Sequence, residues 1–360
     1  MHPAAVLLAL ASAAFAQQNS GVLLHQSFGS GPEGWTVMGQ NAGTGTIGVQ
    51  DGALSFSYEL KPKGFTVAVL PAPPEIAGMR RMRFQVRSDR DTVLAVLLTE
   101  KKPGGGDYSA WFWSPANVWQ QIELSPADFV ANDGPTDPVD PDGKLDLDAV
   151  QGVALIDLAQ FLMALPANPE FPMAIDRASG SHTVLVKDFE LLGGTAAAAR
   201  RAGEIDSFRR GFLEWATPGG IKLRLNPQDN PLRMPALQAS YEQTEGRVPI
   251  LIRRLGQTDL SGARRLAFDV ASVHDATLVV SLEMKAAAGK PGPRFNMMVY
   301  PPADEEVFHV NLNLSDFEGS GKLDPAQLKT LIIGDITAAQ GGATQPNTIW
   351  IGKIEMSGGQ

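Results

Sequence analysis

Apolar residues recur at every second position in two stretches far apart in the chain. From Arg80 to Leu98 the sequence reads RRMRFQVRSDRDTVLAVLL, and from Arg264 to Leu282 it reads RRLAFDVASVHDATLVVSL. Phe84, Val86, Ser88, Asp91, Leu94, Val96 and Leu98 are answered at the same spacing by Phe268, Val270, Ser272, Asp275, Leu278, Val280 and Leu282. Alternation around a polar break is the period of two strands with one buried face each, and no long segment carries the 3.6-residue period of a helix.

The rest of the chain repeats around these stretches in the same order. Ser27-Phe28 with Trp35 is matched by Ser207-Phe208 with Trp215, and Ala53-Leu54 with Ser57-Tyr58-Glu59 by Ala236-Leu237 with Ser240-Tyr241-Glu242. Ile122, Leu124 and Asp128-Phe129 pair with Val310, Leu312 and Asp316-Phe317. Gly143-Lys144-Leu145-Asp146 leads to Val153 and Asp157 as Gly321-Lys322-Leu323-Asp324 leads to Leu331 and Asp335. Each copy closes on a strand, Thr183–Glu190 and Thr348–Glu355. Blocks kept in order with only loop lengths changing define a tandem duplication.

Between the copies, GGTAAAARRAG at 193–203 reads as a linker. The expected organisation is a leader at 1–16, a first domain at 17–192, the linker, and a second domain at 204–360. Within each copy, short strands separated by Gly, Pro and Asp-rich turns predict an all-β fold: two tandem antiparallel β-sandwiches of jelly-roll type.

Composition narrows the functional classes. With 44% hydrophobic and 19% charged residues the chain can bury full cores, which sets aside disorder. A formal net charge of −9 argues against nucleic acid or an anionic membrane as partner. The first residues, MHPAAVLLALASAAFAQQ, end an apolar run in Ala14-Phe15-Ala16, which predicts a secretory leader cleaved before Gln17, too short to span a membrane. Only His2 stands where a Lys or Arg is usual. No cysteine follows, so neither a lipid anchor nor disulfides are expected, and the mature chain is read as secreted or periplasmic.

Phe with Trp near the start, Leu-x-x-x-Tyr-Glu, Asp259-Leu260-Ser261-Gly262 leading into Leu266 to Val270, a strand ending in Asp-Phe and a final Ile-x-Ile strand resemble the galactose-binding-like jelly rolls. Within that group the pattern is most similar to the complex I intermediate-associated protein family and related carbohydrate-binding modules. These are core and turn residues, so the resemblance speaks to fold more than to ligand.

Several motifs invite chemistry. Gly43, Gly45 and Gly48 fit a dinucleotide-binding spacing, yet no βαβ unit surrounds them and a hairpin is expected. The acids from Asp137 to Asp148 suggest calcium, but an EF-hand register with Gly143 sixth puts Pro138 and Ala149 at the key ligand positions. Asp157 with Asp335, and Glu190 with Glu355, recur in both copies, unlike a catalytic pair. Two readings remain for them: turn capping, or a structural calcium ion of the kind seen in similar jelly rolls. His25, His182, His274 and His309 form no metal spacing, and no catalytic motif is present.

The aromatic run Tyr108-Ser-Ala-Trp111-Phe112-Trp113 is aligned with Arg294 to Tyr300, which matches Trp111 and Trp113 to apolar Met297 and Val299 and assigns them to the core. The opposite face then carries Tyr108 and Phe112, and in the copy Arg294, Asn296 and Tyr300. Alternation on other strands adds Arg83, Gln85, Arg87, Gln121 and Glu123 in the first copy and Asp269, Glu283, His309 and Asn311 in the second. A polar and aromatic sheet face has the composition of a glycan site, or of the wet side of an antiparallel sheet. The expected activity is non-catalytic binding of a polysaccharide or glycan, with avidity if both repeats bind. The alternative is an adaptor contacting an envelope protein.

Overall fold

The computed structural model describes residues 21–358 except 41–42, 102, 135–136, 164–172, 196–202, 227, 257 and 286–291. The expected leader and most of the linker lie outside the described residues.

The chain is all-β, built as two tandem antiparallel β-sandwiches. Sheet I runs Gly45–Gln50, Ala53–Leu60, Gly180–Leu192, Arg81–Ser88, Gln120–Leu124, with Val22–Gln26 also on Gly180–Leu192. Sheet II, facing it, runs Val130–Ala131, Asp107–Ser114, Thr92–Glu100, Val150–Asp157, Phe65–Pro71, Thr36–Gln40. In the second repeat, sheet III runs Glu204–Asp206, Ile354–Ser357, Arg265–Ser272, Pro346–Ile351, Ala236–Glu242, Ile221–Asn226, with Phe308–Asn313 on Arg265–Ser272. Sheet IV runs Trp215–Ala216, Ile250–Arg254, Leu328–Asp335, Leu278–Met284, Arg294–Val299, Glu318–Gly319.

The doubled stretch is not a hairpin. Its first strand lies in sheet I or III and its second in sheet II or IV, so the polar break carries the chain across the sandwich. Asp91 Oδ1 holds that crossing by accepting from the Ala116 amide at 2.9 Å, and Asp275 Oδ1 does the same for Ala303 at 2.9 Å. In Arg81–Ser88, Met82, Phe84, Val86 and Ser88 point into the core, as the alternation requires.

Polar side-chain bonds are duplicated as well. Trp35 Nε1 donates to Gln26 Oε1 at 2.9 Å and Trp215 Nε1 to Asp206 Oδ2 at 2.8 Å. Ser57 meets Thr183 at 2.9 Å, and Ser240 meets Thr348 at 2.9 Å. Phe28 and Phe208, the residues that open each copy, share the left-handed backbone at φ 60° and 55°. A β-branched residue there would be strained.

The repeats are docked against each other. The edge of sheet II meets the segment leading into sheet IV, where the Glu214 amide donates to the Trp111 carbonyl at 2.7 Å. Val93 and Trp113 of the first repeat pack into the second repeat's core, and Leu213 packs into the first repeat's core. Arg254 is buried in this seam, with Nε 2.6 Å from Glu214 Oε2, Nη1 3.0 Å from Ser109 Oγ and its guanidinium 4.1 Å from the Trp111 ring centroid. Arg210 clamps Asp128 through both terminal nitrogens at 2.8 and 2.7 Å.

Candidate functional site

Apart from Tyr108 and Phe112, which are on sheet II, the residues singled out by alternation fall on three different sheets. Arg83, Gln85 and Arg87 face Gln121 and Glu123 across neighbouring strands on the outer side of sheet I, with Arg83 opposite Glu123 and Gln85 opposite Gln121. Asp269, His309 and Asn311 lie on the outer side of sheet III, where His309 Nδ1 is 2.7 Å from Asp269 Oδ1. Glu283, Arg294, Asn296 and Tyr300 share the outer side of sheet IV, with Glu283 opposite Arg294. They make three surfaces, not one site.

The sheet I surface is largely satisfied by its own charges. Arg83 Nη2 lies 2.6 Å from Glu190 Oε2, Arg81 Nη1 is 3.6 Å from Glu123 Oε1, and Gln85 donates to Asp188 at 3.3 Å. Trp119 stands among them, with Arg87 and Lys187 at 5.2 and 4.9 Å from its ring centroid. The sequence reasoning missed Trp119, although it precedes Gln121 and Glu123 by the same two-residue step. Its cation contacts and the paired charges leave the polar groups of this half-buried face largely committed to one another.

The sheet IV surface is more open. Tyr300 is 63% exposed, and it continues the outward set Arg294, Asn296 and Met298 past the end of the strand. Asn296 Oδ1 accepts from Ser281 Oγ at 2.7 Å, and among the described residues its amide nitrogen has no acceptor. Glu283 Oε2 and Arg294 Nη2 form a loose pair at 3.2 Å. Asn296 and Tyr300 stand about 13 Å apart along the strand. An extended ligand, not a single small ring, would touch both.

Tyr108 is a correction. It is fully buried in the first core, as is Phe112, while Trp111 and Trp113 point away from that core. The cause is a one-residue slip in aligning the copies, which reverses every side chain on a strand. Leu94 faces Phe112 and Leu278 faces Val299, so Phe112 corresponds to Val299, Trp111 to Met298 and Trp113 to Tyr300. The tryptophans are outward yet covered, because the second repeat sits on them. Burial, followed by hydrogen bonding to Asp140 Oδ2 at 2.6 Å, raises the Tyr108 hydroxyl's pKa well above its ordinary value.

Of the recurrent acids, Asp157 and Asp335 cap turns, while Glu190 pairs with Arg83 and Glu355 with Lys353 on the sheet surfaces. Asp157 accepts from the Tyr58 hydroxyl, from Thr92 Oγ1 at 2.5 Å and from the Ala159 amide at 2.8 Å. Asp335 accepts from Tyr241 at 2.7 Å, Gln243 at 2.8 Å and the Thr337 amide at 2.8 Å. Burial, then the neighbouring carboxylate, pushes both tyrosines well above the usual phenol value. In the acidic loop, Asp137, Asp140 and Asp142 accept from Gly134, Asp142 and Lys144 amides at 2.7, 3.3 and 2.9 Å. Among the described residues no three His, Cys, Asp or Glu side chains converge as a metal site, and no helix is long and apolar enough to cross a membrane.

The class these features define is a tandem β-sandwich protein with an open polar and aromatic face on sheet IV. No family model and no curated protein matches the chain, so no family match backs the likeness to the complex I intermediate-associated proteins. Solved structures do match. A family 11 carbohydrate-binding module from Clostridium thermocellum, in complex with a β-1,3-1,4-mixed-linked tetrasaccharide, is 17% identical over 48% of this chain and 96% of its own, at TM-score 0.36. The CBM22-1-CBM22-2 tandem domain from Paenibacillus barcinonensis Xyn10C is 10% identical over 94% of this chain and 98% of its own, at TM-score 0.31. An exo-β-agarase is 12% identical over 44% of this chain and 25% of its own, at TM-score 0.36. At these identities and scores nothing about ligand follows.

Proposed function

We propose that the protein is an exported, non-catalytic carbohydrate-binding protein whose site is the outer face of sheet IV. The observation that carries this reading is the open ring of Tyr300 on the same strand face as Asn296 and Arg294. An exposed aromatic offers a stacking surface, and planar carboxamide, guanidinium and carboxylate groups beside it offer the paired donors and acceptors that vicinal hydroxyls require. The distance between Tyr300 and Asn296 favours a polymer. Non-catalysis is supported by the recurrent buried carboxylates, Asp157 and Asp335, being occupied in capping. Export rests on the leader ending at Ala14-Phe15-Ala16.

The test is retardation in native gels cast with soluble polysaccharides, with and without a calcium chelator. Slowing by at least one polymer, lost in Tyr300→Ala, is the expected result. Loss on chelation would add a metal that supports the site. Retention of slowing in Tyr300→Ala would move the site off this face. No slowing by any polymer would favour the envelope-adaptor reading, for which Met298, 38% exposed beside Tyr300, is the supporting apolar surface.

A further inference from the structure

A cleft of ≈ 540 Å³ opens where the repeats meet, between the crossing turn Arg90–Val93 of the first and the segments Thr217–Lys222 and Ser240–Glu242 of the second. That volume lies inside the roughly 300–1,000 Å³ range of small-molecule sites. The wall is tightly assembled. The Asp176 amide donates to the Pro218 carbonyl at 3.0 Å, and a Cβ on Gly219, at φ 154°, would fall 2.2 Å from the Asp176 nitrogen. No side chain fits there, so the two repeats close one side of the cleft backbone to backbone.

The polar groups of the wall are incompletely used. Arg90 gives Nη2 to Asp176 Oδ2 at 2.7 Å, but its Nη1 is buried without an acceptor, and so is Trp113 Nε1. Both atoms lie sealed beneath the wall, out of an occupant's reach, so the polar groups an occupant meets are the exposed ones. Lys222 and Glu242 are exposed at the cleft, and among the described residues neither has an ion-pair partner. Arg90 and Lys222 share the lining with Asp91, Asp176 and Glu242, and the surplus of carboxylates disfavours a polyanion. A hydroxyl is the group that both accepts from an N–H and donates to a carboxylate.

We infer that the junction cleft is a second ligand site, for a short neutral saccharide held between the two repeats. The inference rests on the reading of the chain as a saccharide binder but uses none of the sheet IV residues. Lys222 and Glu242 are the free groups at its opening, and Arg90 anchors its floor.

Isothermal titration calorimetry tests it with four probes: cellotetraose, laminaritetraose, xylotetraose and, as the acidic control, trigalacturonate. The proteins are wild type, Tyr300→Ala, and the double variant Lys222→Ala with Glu242→Ala, both positions being exposed, with circular dichroism to check that the fold is kept. A neutral tetrasaccharide should bind wild type and Tyr300→Ala alike, and the double variant at least tenfold more weakly. Absence of heat from every neutral probe, undiminished binding by the double variant, or binding of trigalacturonate alone overturns the inference. Tetrasaccharide binding that disappears in Tyr300→Ala also overturns it, by assigning the heat to sheet IV. Polymer retardation without cleft binding sinks this inference alone, and cleft binding without retardation sinks the sheet IV reading alone.

Discussion

Replacing Arg254 by Met should loosen the seam by about 3–5 kcal/mol, the range for removing one partner of a buried ion pair. An exposed pair would be worth about 0–1 kcal/mol. The choice between these ranges follows from burial: the side chains of Arg254 and Glu214 are 6% and 2% exposed, 2.6 Å apart. Methionine keeps much of the stem volume and its contact with Trp111. What it removes is the cation, leaving the Glu214 carboxylate with the Trp111 amide, 3.0 Å from Oε1, as its recorded donor. Most of the loss therefore comes from the stranded charge, and adding Glu214→Gln should recover at least half of it. Urea denaturation followed by tryptophan fluorescence measures both variants, and separation of one transition into two would show the repeats parting. A cost below about 1 kcal/mol for Arg254→Met, or no recovery in the double variant, would refute the reasoning.

Trp113→Ala should cost about 3–5 kcal/mol in the same assay, whereas Tyr300→Ala at the equivalent position should change stability by less than about 0.5 kcal/mol. Equal effects would mean that the seam does not cover Trp113. Tyr58→Phe removes one donor from buried Asp157 and should cost about 1–3 kcal/mol, with Tyr241→Phe similar; no loss at either position would count against the capping assignment. For Asp128, burial raises the carboxyl's pKa, but the Arg210 guanidinium and Ser125 outweigh it and hold the group below its ordinary 3.8. A lowered folded pKa gives stability that is full above the unfolded value and fades as pH falls through the folded one. The stability gap between wild type and Arg210→Ala should thus hold from neutral pH to about pH 5 and close below about pH 4. A gap unchanged under acid would contradict this.

Strand alternation made the sandwiches legible because a half-buried strand records its core side at every second residue. The duplication then supplied a second record, and Asp91 with Asp275 or Tyr58 with Tyr241 keep the same partners in both copies. Alternation fails where both faces of a strand are covered. Asp107–Ser114 presents Tyr108, Ala110 and Phe112 inward and Trp111 and Trp113 into the neighbouring repeat, so both sides read as apolar and the pattern cannot say which is core. Sheet membership was equally hidden. Asp269 and Glu283 carry the same local signature, yet the crossing between Ser272 and Leu278 sends consecutive strands to opposite sheets, so the two end on separate surfaces. The junction cleft had no signal at all, since its walls come from segments that are close only after the repeats dock.

The seam also changes what the covalent link between the repeats does. Because each core borrows side chains from the other repeat, Val93 and Trp113 in one direction and Leu213 in the other, neither half ends cleanly at its own boundary. A protease that nicked the chain between Leu192 and Glu204 would leave two fragments clasped as a single particle. Expressing either half alone would instead lay bare an apolar scar and invite aggregation. With the link cut, the seam alone would hold the halves together, and their association would become dependent on concentration.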